Sequence, residues 1–156
     1  MNLLLESPSK VMAGPLSMLH GACFPEDPWN SVAIAKMMDI PGFFGRIAWA
    51  DESASGIVLA LDLRGECEIL SLGVLPERRR EGIGSALLDS ACYEGWLRGA
   101  ECIILEVAVD NSSALAFYFG RRFMQVGLRP NYYQQIGRRV DALVLRRTNT
   151  DATIQL

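Results

Sequence analysis

The apolar positions of this chain recur first at helical spacing, then in short β-compatible runs, and then in an alternation of the two. Leu16 to Phe24 reads as a short helix closed by Pro25. Asn30 or Ser31 is placed to cap a second helix running to about Asp39, where Pro41 and Gly42 stop it. Phe44 to Ala50 and Gly56 to Asp62 are apolar runs joined by the polar turn Asp51 to Ser55, the pattern of an antiparallel hairpin. Glu66 to Leu75 is a third such run. The period then changes: Ile83, Ala86, Leu87 and Ala91 recur at helical spacing from Gly82 to about Arg98, with Gly99 as a C-terminal stop. Cys102 to Val109 is rich in β-branched residues and completes a β-α-β unit, whose strands are expected to be parallel with a right-handed crossover. A helix from Ser112 to about Arg121, then strands over Phe123 to Leu128 and Asp141 to Arg147, finish the pattern, and the polar stretch Thr148 to Leu156 reads as a frayed tail.

With 156 residues, half of them hydrophobic and 21% charged, the chain has an ordinary globular composition. A domain of this length buries roughly two-thirds of its unfolded surface, so it needs no staples. There is no internal repeat and no linker rich in Pro, Gly or Ser, so residues 1–156 read as one domain. Leu3, Leu4 and Leu5 form an apolar run that Glu6 and Pro8 interrupt, far short of the roughly 18 residues of a membrane span. No basic segment precedes it, so neither a membrane segment nor a signal peptide is expected, and the reading is cytoplasmic. Cys23, Cys67, Cys92 and Cys102 lack the spacing that lets thiolates share zinc and read as reduced core residues. The lone histidine, His20, has no second ligand at metal-binding spacing and reads as a helix-surface or capping residue, so no metal is expected. The net charge of −3 gives no general attraction to nucleic acid, and a basic polypeptide partner stays open. Arg78, Arg79 and Arg80, and again Arg121 and Arg122, are by default solvated clusters unless a phosphate site lies beside them.

Such a site is suggested by Ile69 to Leu88, ILSLGVLPERRREGIGSALL. A strand ends near Pro76, a basic glycine-bearing loop follows, and a helix begins at Gly82 or Ile83. The first N–H groups of a helix have no carbonyl partners and stand at the positive end of its dipole, which favours an anion there. Gly82 and Gly84 let an oxygen-rich ligand approach the backbone. A Walker A loop needs Lys after the glycine, but Ser85 follows Gly84; a dinucleotide fingerprint needs a third glycine where Leu87 stands. A tight strand-to-helix turn would account for the same glycines without any ligand.

The R-x-x-G-x-G pattern of Arg79, Gly82 and Gly84, preceded by Val74 and Pro76, resembles the acetyl-CoA motif of the GNAT superfamily of N-acetyltransferases. Leu105 to Phe123, LEVAVDNSSALAFYFGRRF, resembles the L-E-V-R-x-x-N-x-x-A-x-x-x-Y-x-x-x-G-F block of its RimI-type subfamily, the alanine N-terminal acetyltransferases of ribosomal proteins, with Glu106, Asn111, Ala114, Tyr118 and Phe123 in register. Arg129 to Tyr133 (RPNYY), Asp141 to Leu145 and Ala22 to Trp29 resemble further parts of that subfamily. Ala108 stands where the subfamily has Arg, and Arg122 where it has Gly.

The resemblance implies an α/β fold with a mixed, mostly antiparallel sheet, flanked by helices, whose central parallel pair near Leu72 and Val107 splays to admit acetyl-CoA. It implies cofactor contacts from Leu72, Gly73, Val74, Arg79, Arg80, Glu81, Gly82, Ile83, Gly84, Ser85 and Asn111, and a substrate-side loop at Tyr132 and Tyr133. It also implies Glu106 as base and Tyr118 as acid in direct transfer to a protein N-terminus, by resemblance that of small-subunit ribosomal protein eighteen. Another amine, or an acyl-CoA-sensing module without turnover, are the other readings. On the residues alone each assignment has a structural alternative. Alternation along Ile103 to Val109 puts Ile104, Glu106 and Ala108 on one face. Glu106 is then either a salt-bridged structural carboxylate or one facing a wet cleft. Asn111 is a natural helix cap. Tyr118 could be a core aromatic beside Phe117, and the paired tyrosines could cover an apolar edge.

Overall fold

The computed structural model describes residues 1–135 and 138–149. Its elements are β1 (Leu3–Glu6), α1 (Ala13–Cys23), α2 (Ser31–Met38), β2 (Phe43–Ala50), β3 (Ser53–Asp62), β4 (Glu66–Val74), α3 (Ile83–Leu97), β5 (Cys102–Ala108), α4 (Ser112–Phe119), β6 (Met124–Gln135) and β7 (Arg138–Thr148). Local chemistry sets the boundaries. The Asn30 side chain accepts the Ala33 N–H at 2.8 Å to start α2, and Asn111 accepts that of Ala114 at 3.2 Å to start α4. Gly82 enters α3 at φ +86°, a left-handed angle that L side chains resist.

The strands form one sheet in the order β1-β2-β3-β4-β5-β7-β6, antiparallel except for β4 and β5. This is the mixed, mostly antiparallel sheet with a parallel central pair expected from the sequence. Apolar layers cover both faces. Leu87, Leu88 and Ala91 of α3 pack with Leu105, Val107 and Leu145 on one side, and Leu16 and Leu19 of α1 pack with Ile34, Ile57 and Leu59 on the other.

Two strands differ from expectation. The Leu3–Leu5 run is an edge strand, paired with β2 from Leu3 opposite Ala50 to Glu6 opposite Ile47. Leu3 and Leu5 pack on the core while Leu4 is 61% exposed, an alternation that three identical residues conceal. β6 continues past Leu128 through Pro130 to the tyrosines, so Tyr132 and Tyr133 belong to a bulged edge strand and not to a loop. Arg129 faces Ala142 and Tyr133 faces Val140, leaving the three residues between them opposite Asp141. A proline is tolerated there because an edge bulge asks no ladder hydrogen bond of it. β7 ends at Thr148, and residues 150–156 of the expected tail lie outside the described residues.

The helix α4 ends with Gly120 in a right-handed conformation, φ −68°, and the left-handed turn falls instead on Arg122, φ +69°. A non-glycine residue resists that angle. Arg122→Gly is therefore expected to stabilise the fold by a few tenths to about 1 kcal/mol, after the extra unfolded-state entropy of glycine is subtracted. Thermal unfolding checks this: Tm is expected to rise by about 1–4 °C.

Candidate active site

The β4–β5 ladder joins Glu66, Cys67 and Glu68 to Cys102, Ile103 and Ile104, and stops there. Just beyond, the β3–β4 register slips so that Leu70 has no partner between Ile69 and Ser71, a bulge that bends β4 away. The strands diverge, and a cleft of about 870 Å³ opens between them, bordered by the end of α1, the start of α4 and the β6 bulge. Backbone groups of β4 on this side have no β5 partner after Glu68, so an extended ligand with amides of its own can take their place.

At one end of the cleft the chain turns from β4 through a 3-10 turn, Pro76–Arg78, into α3. Leu72, Arg79 and Asn111 line the opening; Gly73 and Val74 continue β4, Arg80 and Glu81 lie in the turn, and Ile83, Gly84 and Ser85 form the first turn of α3. Ile83 is buried, so its side chain belongs to the core. The Glu81 carboxylate is engaged by Arg78 at 3.1 Å, and Arg79 Nε donates to the Val74 carbonyl at 3.2 Å. Arg121 belongs to this end as well. Its guanidinium lies 4.0 Å over the Phe117 ring and donates to Phe117 O and Ser85 Oγ, which sets a cation beside the start of α3. Nothing in the sequence pattern had linked residues 36 positions apart.

The middle of the cleft holds Glu106 and Tyr118. Leu105 and Val107 are buried on the α3 side, so Glu106 points to the opposite face, as alternation requires. The carboxylate is 16% exposed at the cleft wall, and it pairs with Arg129 at 2.5 Å. Arg129 also lies 4.3 Å over the Tyr132 ring, and the Tyr133 hydroxyl donates to the Glu106 carbonyl at 3.1 Å. The β6 bulge thus clamps the middle of β5. The neighbouring Glu68 has its pKa raised by burial and then by the charges of Glu106 and Glu66. Tyr118 is both core and cleft, packing edge-on against Phe117 at 5.1 Å and Phe123 at 5.6 Å. Burial pushes its pKa well above the ordinary phenol range, and that of Tyr133 up to about 12, so both keep their protons at neutral pH.

His20 overturns its sequence assignment. It is 2% exposed, on the face of α1 that meets the sheet. Its ring stacks on Trp29 at 4.4 Å, Nδ1 accepts the Trp29 backbone N–H at 3.1 Å, and Nε2 lies 3.2 Å from Ser71 Oγ. Burial lowers its pKa, against a smaller opposing effect of Asp27. Both His20 and Ser71 line the cleft. A helix with polar and apolar residues mixed around its axis gave no sign of which face would be buried.

All four cysteines are free, and burial pushes the thiols of Cys23, Cys67 and Cys92 up to about 11. Among the described residues no group of three or more His, Cys, Asp or Glu is arranged to hold a metal ion, and no helix is long and apolar enough to cross a membrane.

Residues 16–121 match the sequence profile of the acetyltransferase (GNAT) family. The [ribosomal protein bS18]-alanine N-acetyltransferase of Escherichia coli strain K12 is 34% identical over 80 residues, covering 51% of this chain and 54% of that protein. The chain spans about half the length of the curated relatives it matches. In structure, the Escherichia coli ribosomal-protein-S18-alanine N-acetyltransferase superposes with a TM-score of 0.87 at 21% identity, covering 94% of each chain. Arabidopsis thaliana NAA60 in complex with acetyl-CoA superposes with a TM-score of 0.82 at 18% identity, covering 96% of this chain and 99% of that one. With the profile matched across most of its length, the chain belongs to the acetyltransferase (GNAT) family.

Proposed function

We propose that the chain is a cytoplasmic, acetyl-CoA-dependent N-acetyltransferase acting on the α-amine of a protein N-terminus, with the alanine end of a ribosomal protein as its favoured acceptor. The observation that carries this reading is a cleft that runs from Pro76 and Arg79, in the loop leading into α3, to the Glu106 carboxylate and the protonated Tyr118 phenol. The residues present suit CoA. The amides at Gly82 to Ser85, with Arg79 and Arg121, offer donors and positive charge to its pyrophosphate, and the unpaired edge of β4 offers amides to its arm.

The thioester supplies the activated acyl group, and the protein's residues manage charge and protons around it. An α-amine with pKa near 7.7–8.0 enters largely protonated. Glu106 takes that proton, directly or through one water. Arg129 neutralises the same carboxylate in the resting cleft, so the incoming ammonium competes with the guanidinium for it. As the C–N bond forms, backbone N–H groups at Leu72 to Val74 stabilise the negative charge growing on oxygen. The C–S bond then breaks and Tyr118, which has kept its proton, passes it to the departing sulfur.

A thiol of pKa near 8.5 leaves readily as an anion. Tyr118→Phe is therefore expected to lower kcat by about 10- to 100-fold, at the lower end of acid–base effects, with no recovery at high pH. Steady-state thiol release across pH checks this. The test of the function itself is turnover of acetyl-CoA against a panel of peptide N-termini, the same peptides with blocked amines, and small amines. Selective acetylation of free N-termini supports the reading; turnover confined to lysine side chains or small amines replaces it. Ala108 favours keeping the second outcome in the panel, because it lines the cleft where the subfamily pattern has a far larger arginine.

A further inference from the structure

We propose that Ser71, aimed by His20, is the residue that distinguishes a peptide N-terminus from other amines, by donating a hydrogen bond to the carbonyl oxygen next to the reacting amine. The proposal rests on the N-terminal acceptor reading given above.

The orientation of the Ser71 hydroxyl follows from the chain of donors behind it. A backbone N–H can only donate, and that of Trp29 points at Nδ1 of His20, so this nitrogen carries no proton. The ring is buried with its pKa lowered, so it is neutral and its single proton sits on Nε2. Nε2–H therefore donates to Ser71 Oγ. One lone pair of the hydroxyl is thereby used, and its own proton must point elsewhere. Among the described residues the Ser71 side chain has no other hydrogen-bond partner, and it lines the cleft. Stacking on Trp29 at 4.4 Å and a tilted contact with Phe24 at 4.8 Å keep the imidazole from turning.

Ser71 also stands in the acceptor half of the cleft. It meets α1, so it lies on the α1 face of the sheet, the face to which Glu106 points from β5. The start of α3, where the anion is expected, belongs to the other face. An ammonium only donates and a carbonyl oxygen only accepts, so a carboxylate and a fixed hydroxyl donor together match a group that carries both close together. Every peptide N-terminus is such a group, N–Cα–C=O. A lysine side chain or a simple alkylamine is not.

His20 is in this account a positioning residue and not a base, since accepting a second proton at Nδ1 would set two donors, that proton and the Trp29 N–H, against each other. The test measures kcat/KM for a free-N-terminal alanine peptide and for isopropylamine, which has the same branched carbon without the carbonyl. Wild type, Ser71→Ala, His20→Gln and His20→Leu are compared, with CoA affinity and thermal unfolding followed for each. Ser71→Ala is expected to lower the peptide-to-alkylamine ratio about tenfold, the effect of one hydrogen bond, chiefly through the peptide KM. His20→Leu is expected to lower the ratio similarly. His20→Gln, which offers a carbonyl to Trp29 and an N–H to Ser71, should restore it to within about twofold. A ratio unchanged in Ser71→Ala overturns the proposal, as does a loss shared equally by peptide, alkylamine and CoA affinity. Wild type that prefers isopropylamine to the peptide overturns the N-terminal reading itself, which is a different failure.

Discussion

Glu106→Gln is expected to lower kcat by roughly 10²- to 10⁴-fold at pH 7 with saturating peptide, the largest effect of any single substitution in the cleft. Glutamine keeps the shape of the side chain and removes only its ability to take a proton. The Arg129 guanidinium that loses its partner is more than half exposed, so water takes over its solvation and the fold should be little disturbed. Tyr133 bonds the backbone carbonyl of Glu106, not its carboxylate, so the clamp on β5 survives. CoA affinity should stay near wild type. Raising the pH past about 8 supplies free amine without the carboxylate, so the variant should recover part of its deficit while the wild type gains little. A Glu106→Gln protein with near wild-type kcat at pH 7 would make the carboxylate structural, a partner for Arg129 and nothing more.

Legibility in the sequence followed the range of the interaction. The α3 start, the change of period from strand to helix and back, and the alternation of Glu106 against Leu105 and Val107 all depend on residues within a few positions of one another, where period, glycine placement and capping leave a readable trace. The register slip at Leu70 leaves none, because a bulge is decided by the partner strand as much as by its own residues. The same holds for the contacts that complete the cleft. His20 reaches Ser71 across 51 positions, Arg121 reaches Ser85 across 36, and Arg129 reaches Glu106 across 23. The default for a run of arginines such as Arg121 and Arg122 is a solvated cluster, but Arg121 is held against Phe117 and Ser85 at the end of α4. The burial of His20 is hidden from the sequence for a related reason. An isolated histidine on a helix of mixed face looks exposed until its tertiary acceptor and donor are known.

Gly84→Val is expected to weaken CoA binding by about 10- to 100-fold, the equivalent of one hydrogen bond to a charged group, while leaving the protein folded. The fold has room for the change. A Cβ at Gly84 would meet its nearest neighbours, the Phe117 ring and the Val74 side chain, at 3.7 Å, which is ordinary contact. Removing glycine from a helical turn also lowers the entropy of the unfolded chain. What the added methyl groups obstruct is the approach of an oxygen-rich ligand to the first amides of α3. Gly73→Ala supplies the contrast, since its Cβ would fall 2.6 Å from the Phe24 ring and 2.9 Å from Cys23, where α1 is seated tightly on β4. That variant should lose stability first and CoA affinity only in proportion, whereas Gly84→Val should lose affinity with its Tm within a few degrees of wild type. Isothermal titration with CoA, run beside thermal unfolding of both variants, separates the two. Unchanged CoA affinity in folded Gly84→Val would mean that the pyrophosphate is held elsewhere, and that the glycine serves only the tight turn from β4 into α3.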